Sequence, residues 1–168
     1  MIAETPFVRV PLTRGMFTII DAVDLDFVNS FRWYARSEGS GSGRFYALRN
    51  LNKKTLLLHR VLLQATDGQY VDHINHDTLD NRRSNIRICT AQENAFNRQK
   101  QPGCKLSQYK GVQYVPRLHN TNPWKAVINL NGKSTHLGCF PTELEAAQAY
   151  NQAALQLHKE FACLNPLN

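Results

Sequence analysis

The chain has 168 residues, with 20 Lys and Arg against 13 Asp and Glu, a formal net charge of +7 and a pI near 9.4. That length suits one medium domain or two small ones. No apolar run approaches the roughly 18 residues of a membrane-spanning helix, and the N-terminus MIAETPFVRV lacks a basic region followed by an apolar core, so a soluble intracellular protein without a secretory signal is expected.

The basic excess is spread along the chain with no basic tail, which favours a polyanionic partner. The four cysteines, Cys89, Cys104, Cys139 and Cys163, form no CxxC pair. They read as reduced thiols rather than a zinc or disulfide framework.

Taken in order, PFVRVPL from Pro6 reads as a short strand, and Arg14-Gly15 turns it into a second apolar run, MFTII. Leu25, Val28 and Phe31 recur at helical spacing behind Asp24, which is placed to cap that helix. Trp33-Tyr34-Ala35 opens another strand. Ser37–Gly43, SEGSGSG, is a flexible hairpin loop by composition, and Phe45–Leu48 returns from it. A turn at Asn52–Lys54 leads into Thr55–Leu58. His59-Arg60 stands where that strand ends and a short helix, VLLQAT, begins. The pair suits contact with a phosphate, and equally a capping and packing role.

The stretch Val71–Lys100 carries the chemistry. Apolar Val71 and Ile74 flank Asp72-His73, as in a strand that buries its frame and offers two polar side chains to a cleft. Asn75–Asp80 reads as a loop, and Asn85-Ile86-Arg87-Ile88 alternates like the second strand of a hairpin. Thr90 and Glu93 form a capping box that starts a helix, on which Asn94 and Asn97 share a face. Phosphodiester cleavage needs an activated water, charge neutralisation at the phosphate and help for the leaving oxygen. A divalent ion can supply the last two. Hard cations such as Mg²⁺ take oxygen ligands and keep several waters; Asp72 offers a carboxylate and Asn94 a carbonyl oxygen. His73 can take a proton from water near neutral pH. Neighbours on a strand point to opposite faces, so a kink or twist is expected, with His73 towards substrate and Asp72 towards the ion.

The run DHINHDTLDNRRSNIRICTAQEN, Asp72 to Asn94, resembles the HNH nucleases, specifically their phage and intron-encoded homing-endonuclease branch. The resemblance implies a ββα-metal core over about residues 70–100. It assigns Asp72 and Asn94 to the metal, with Asn97 as the alternative ligand, and His73 to the general base. It assigns Asn85 to a hydrogen bond that pins the loop and so orients His73. The third motif position is often His in that superfamily and is Asn here, which suits Mg²⁺ better than zinc; Mn²⁺ is the natural substitute. Arg87 is read as a phosphate contact, Arg82 and Arg83 as an exposed turn, and His76 as a solvated turn residue.

Pro102-Gly103 breaks the helix, so residues 101–108 read as a linker and a domain boundary. Beyond it lie three strands, Tyr109–Val115, Trp124–Leu130 and Lys133–Phe140. Asn131-Gly132 joins the last two in a turn that needs positive φ at both positions. Thr142 and Glu145 form a second capping box. Leu144–His158 then carries Leu144, Ala147, Tyr150, Ala154 and Leu157 on one stripe that should cover the sheet. The tail FACLNPLN shows no pattern. Tyr109-Lys110-Gly111-Val112, Trp124-Lys125-Ala126, Leu137-Gly138-x-Phe140 and Glu145-Ala146-Ala147-x-Ala149-Tyr150 resemble the AP2 DNA-binding domain. Such domains lay a three-stranded sheet in the major groove. The resemblance makes Gln113, Lys125, Asn129 and His136 the contacts. Gln113, Asn129 and His136 replace residues that are usually basic or aromatic, which implies a weaker or different base preference and mostly phosphate and sugar contacts. Trp124 is read either as a core residue under the helix or as a base contact.

The expected fold is therefore α+β: a nuclease domain over 1–100 with a β-rich N-terminal extension, a linker over 101–108, and an AP2-like sheet-and-helix domain over 109–168. The expected function is metal-dependent hydrolysis of duplex DNA by a monomer or homodimer in the cytoplasm of a bacterial or phage-infected cell. The alternatives are a catalytically silent DNA-binding regulator and a zinc-stabilised binding module. Loss of Asp72, His73 or Asn94 would favour the first, and none is lost; the second would want paired cysteines. Nothing in the motif excludes RNA, although an AP2-like reader favours duplex DNA.

Overall fold

A computed structural model describes residues 6–39, 43–100, 106–116 and 121–167. Cys104, most of the 101–108 linker and the tip of the Ser37–Gly43 loop lie outside them. The architecture is α+β, built from small antiparallel sheets. The chain divides into two compact units, Met1–Ala91 and Gln92–Asn168.

In the first unit, β1 (Phe7–Pro11) and β2 (Phe17–Asp21) form a hairpin. Its connection carries Arg14 and Gly15 at φ 63° and 66°. After the short helix α1 (Leu25–Asn29) come β3 (Tyr34–Ser37), β4 (Phe45–Leu51) and β5 (Lys54–Leu57), an antiparallel sheet in that order. Asn52 and Lys53 both take left-handed φ, 48° and 65°, as a two-residue hairpin turn of matching twist requires. Helix α2 (Leu58–Leu62) leads to the hairpin of β6 (Tyr70–His73) and β7 (Ile86–Cys89). One core holds the unit together, with Ile20, Val28, Trp33, Ala47, Leu58 and Ile86 buried in it. Asp24 stands ahead of α1 but makes no capping bond. Its carboxylate is engaged by Arg83, through Nε at 3.0 Å and NH2 at 2.7 Å, because a charge-assisted pair outcompetes a cap on a five-residue helix. Arg83 lies in an exposed turn, as expected, and is also anchored there by Asp24.

The second unit contains most of α3 (Ala91–Phe96), then β8 (Val112–Tyr114), β9 (Trp124–Leu130) and β10 (Lys133–Phe140) in a sheet ordered β10-β9-β8. Helix α4 (Glu143–Leu157) packs on it. The Asn131-Gly132 turn has both φ positive, 51° and 72°. The Thr142–Glu145 capping box is formed in both directions. The buried face of α4 is Ala146, Ala147, Tyr150, Asn151 and Ala154. Leu144 and Leu157, expected on that face, are 40% and 38% exposed. Small alanines let the helix approach the sheet closely, and the two leucines flank the contact instead of filling it. Gly111 shows why: a Cβ there would lie 2.0 Å from the Tyr150 ring, and its φ is +75°, so only glycine fits. Trp124 packs against the core cluster of Tyr109, Val112 and Ala147, with Tyr114 at 4.8 Å. The tail that showed no pattern is tied in by Asn165. It exchanges hydrogen bonds with Asn151 (2.8 and 2.9 Å) and with the backbone of Lys110 (2.6 and 3.0 Å).

Candidate active site

Asp72 and His73 end β6, opposite Arg87 and Ile86 of β7. Both are buried. The two neighbours take different partners, as strand alternation requires. Arg87 donates to Asp72 Oδ2 from Nε at 3.1 Å and from NH2 at 2.8 Å. This cross-strand pair compensates a carboxylate that would be costly to bury alone. His73 meets Asn81, His59 and Tyr46 instead.

A chain of hydrogen bonds sets the His73 tautomer. Thr18 Oγ1 donates to the Leu79 carbonyl at 2.8 Å, so it accepts from Asn81 Nδ2 at 2.7 Å. That turns Asn81 Oδ1 towards His73 Nε2, 3.2 Å away. An amide oxygen only accepts, so Nε2 carries the proton and Nδ1 holds the lone pair. Burial pushes the His73 pKa down, against upward pulls from Asn81, Asp72, Asp77 and Asp80. The ring is therefore neutral near pH 7, the form a general base needs.

The loop between the strands is fixed internally. Asn85 Oδ1 accepts from the Asn75 backbone at 2.9 Å, and Nδ2 donates to the Asp80 carbonyl at 2.7 Å. The Asn85 carbonyl takes the Ile74 N–H at 2.8 Å. Asp77 and Leu79 N–H groups are met by the side chains of Asn75 and Asp77, the local turns such residues favour. Burial would raise the Asp80 pKa, but Arg82 and Asn75 outweigh it and hold the carboxyl below its usual range.

The N-terminal strands fix the loop from outside. Ile19 N–H meets the Leu79 carbonyl and Asn81 N–H the Ile19 carbonyl, at 2.9 and 2.7 Å. Thr78 Oγ1 donates to the Phe45 carbonyl at 2.7 Å, and the Arg83 N–H donates to Asp21 at 2.7 Å.

His59 and Arg60 part company. The His59 ring is buried edge-on against His73, centroids 4.9 Å apart, with Tyr46 at 5.6 Å. Burial, then His73 and Arg60, lower its pKa to about 3, so it is an uncharged neighbour of the general-base candidate rather than a cation for phosphate. Arg60 donates to the carbonyls of Gln69 and Thr66 at 2.7 and 2.9 Å and closes the turn before β6. Asn94 is half-buried on α3, and Asn97 is buried just beyond it. In the second unit, alternation and register put Gln113, Lys125, Asn129 and His136 on the sheet face away from α4. His136 Nε2 lies 3.6 Å from Cys139 Sγ. Sequence reasoning missed Asn81, Thr18 and Tyr46. Asn81 stands inside the quoted motif, but its two partners lie far away in the chain.

The donor chemistry can be tested against a metal. Asp72 and the carboxamides of Asn94 and Asn97 are hard oxygen donors, and among the described residues no group of three or more His, Cys, Asp or Glu is gathered. As donor types, such oxygens suit a hard divalent ion that keeps much of its water rather than a closed zinc site.

A family model described as HNH endonuclease matches residues 57–96. A protein of Acanthamoeba polyphaga mimivirus described as an uncharacterized HNH endonuclease is 32% identical over 161 residues, covering 92% of this chain and 78% of its own length. No solved structure matches. The matched segment holds the strand–loop–strand of Asp72, His73 and Asn85, and the similarity runs along nearly all of the sequence: the chain belongs to the HNH endonuclease family.

Proposed function

We propose that the protein is a metal-dependent endonuclease that hydrolyses phosphodiester bonds in duplex DNA, in the manner of homing endonucleases. The observation that carries this reading is the neutral His73 ring, its Nε2 held by Asn81, next to the Asp72 carboxylate. Asp72 and Asn94, with Asn97 as alternative, are the residues that would hold a divalent ion, most naturally Mg²⁺. Such an ion supplies charge neutralisation at the phosphate and the leaving oxygen. His73 Nδ1 takes the proton from the attacking water. Asn85 keeps the loop closed so that the ring cannot turn away. Arg87, already beside Asp72, adds positive charge where the phosphate gathers negative charge.

Residues 1–100 would then be the nuclease domain and 109–168 an AP2-like unit that holds the duplex. A three-stranded antiparallel sheet under one helix, with Gln113, Lys125, Asn129 and His136 on its open face, supports that part. The net charge of +7 suits a polyanion. No helix among the described residues is long and apolar enough to cross a membrane.

The test is plasmid cleavage with Mg²⁺ by wild type and His73→Ala, with EDTA as control. Relaxation or linearisation only by wild type with metal is the expected result. A wild type that shifts the plasmid on a gel, leaves it uncut with Mg²⁺ or Mn²⁺, and matches His73→Ala would replace the nuclease with a DNA-binding regulator.

A further inference from the structure

Asn81 fixes His73 at Nε2, 3.2 Å away. A hydrogen bond at one atom still lets a ring swing about that atom, whereas a working side chain must be held to within about 10–20° of its productive orientation. A second contact of a different kind is therefore needed. The first unit supplies it with two further rings.

His59 comes from α2 and Tyr46 from β4. The His59 ring stands edge-on to His73, centroids 4.9 Å apart and planes at 80°. Tyr46 lies against both, at 5.6 Å from His59 and 6.3 Å from His73. His59 and His73 are 5% and 6% exposed. All three residues, and Asn81 with them, belong to the same compact unit, Met1–Ala91.

The wall is itself well seated. His59 follows Leu58 in the first turn of α2, where Leu58 and Leu62 are buried in the core of the unit. Its carbonyl accepts the Leu63 N–H at 3.2 Å. Tyr46 precedes the buried Ala47 on β4, and its hydroxyl donates to Glu38 Oε1 at 3.4 Å. Among the described residues the His59 ring nitrogens have no hydrogen-bond partner. They are not sealed from solvent either, since the buried side-chain atoms without a partner are Arg49 Nε and His158 Nδ1. The ring thus completes no hydrogen-bond network. It offers an apolar body to its neighbours and a polar edge to water, as an imidazole can. Burial, then His73 and Arg60, keep it uncharged at neutral pH, so it sets no cation against the base.

We infer that His59 is a positioning residue for the proposed reaction: its ring, backed by Tyr46, is the wall that fixes the plane of His73 while Asn81 fixes Nε2. This rests on the reading of His73 as the general base.

The test uses full-length protein with His59→Ala, which removes the wall, Tyr46→Leu, which removes its backing, and His59→Phe, which keeps a ring but loses the polar edge. Three quantities are read: kcat at saturating Mg²⁺ and plasmid, duplex affinity in EDTA, and the ¹⁵N signals of the two His73 ring nitrogens in protein free of metal and DNA. In wild type those signals should be well separated, as one protonated and one bare nitrogen require. A misplacement of about 1 Å can cost about 100-fold in rate. The expected result for His59→Ala and Tyr46→Leu is a fall in kcat of about 10–100-fold, with duplex affinity within about twofold of wild type. The two nitrogen signals should draw together in the same variants, and His59→Phe should recover both readouts. Tyr46→Leu keeps the question answerable if His59→Ala does not fold. Wild-type kcat and wild-type His73 signals in the truncated variants would overturn the inference while leaving the nuclease reading intact. So would a fall confined to duplex affinity. A loss of kcat in His59→Phe as large as in His59→Ala, with the His73 signals unmoved, would also overturn it and make His59 a substrate contact. A wild type that does not cut overturns the nuclease reading itself, and this inference with it, because no base is then left to position.

Discussion

In the proposed reaction, the part of His73 turns on which ring nitrogen carries the proton, and that is decided three hydrogen bonds away, at the Leu79 carbonyl. Replacing Asn81 by Ala removes the acceptor on Nε2 and frees the ring to take the wrong tautomer. The expected outcome is a fall of about 10–100-fold in the single-turnover cleavage rate, with duplex affinity in EDTA unchanged; wild-type rates in Asn81→Ala would show that the chain of bonds does not orient the base. His59 gives a pH prediction at the same scale. Its folded pKa is lowered to about 3, against about 6.5 in an unfolded chain. The unfolded state therefore binds a proton that the folded ring refuses. The stability His59 contributes is complete above about pH 6.5 and is lost as pH falls from there towards 3. Urea unfolding at pH 7.5 and 4.5 should show a smaller acid loss in His59→Gln than in wild type, by roughly 2–3 kcal/mol. Equal losses in the two proteins would mean the ring is not held neutral.

At the scale of elements, the N-terminal strands act as a mould for the loop between β6 and β7. β2 gives and receives backbone bonds along residues 79–81, β4 takes the Thr78 hydroxyl, and the segment before α1 takes Arg83. Asp24→Ala leaves Arg83 without its buried carboxylate. It should lower stability by roughly 1–2 kcal/mol, about 3–6 °C in Tm for a chain of this size; a calorimetric Tm within 1 °C of wild type (about 0.3 kcal/mol) would show that the pair contributes nothing. The same contacts explain what could be read in advance. Hairpins, capping boxes and the Asp72-His73 motif are written in spacings of a few residues, so the β9–β10 turn, the start of α4 and the β6–β7 hairpin were legible. Thr18 with Asn81, Asp24 with Arg83, and Asn165 with Lys110 are joined across 63, 59 and 55 residues. No local pattern marks such pairs, because each half reads as an ordinary turn or cap residue until the fold brings its partner. Ala147, Tyr150 and Ala154 of the expected α4 stripe are buried, but Leu144 and Leu157 fall outside it for a related reason: leucines dominate a hydrophobic stripe on paper, whereas close packing beside Gly111 favours alanines.

At the scale of the whole molecule, the chain carries one Asp72-His73 motif, and a duplex presents two strands of opposite polarity. One site can meet one scissile phosphate in the right orientation, so a single bound chain should nick. A second cut needs a second copy or a second visit. Supercoiled plasmid should therefore pass first to the open circle, with the linear form appearing later and at a rate that rises with protein concentration after the nick has formed. Because the basic charge is distributed over the chain, holding the duplex through phosphates should weaken steeply with salt. Raising salt from about 50 to 200 mM should then suppress the second cut more than the first, since the nicked product must be held or found again. Linear product that forms without an open-circle intermediate, with a rate that grows as the square of protein concentration, would instead identify a dimer that engages both strands at once. The two routes demand different architectures around the same residues: a monomer must release and reorient, whereas a dimer must set two His73 rings on opposite strands before either cuts.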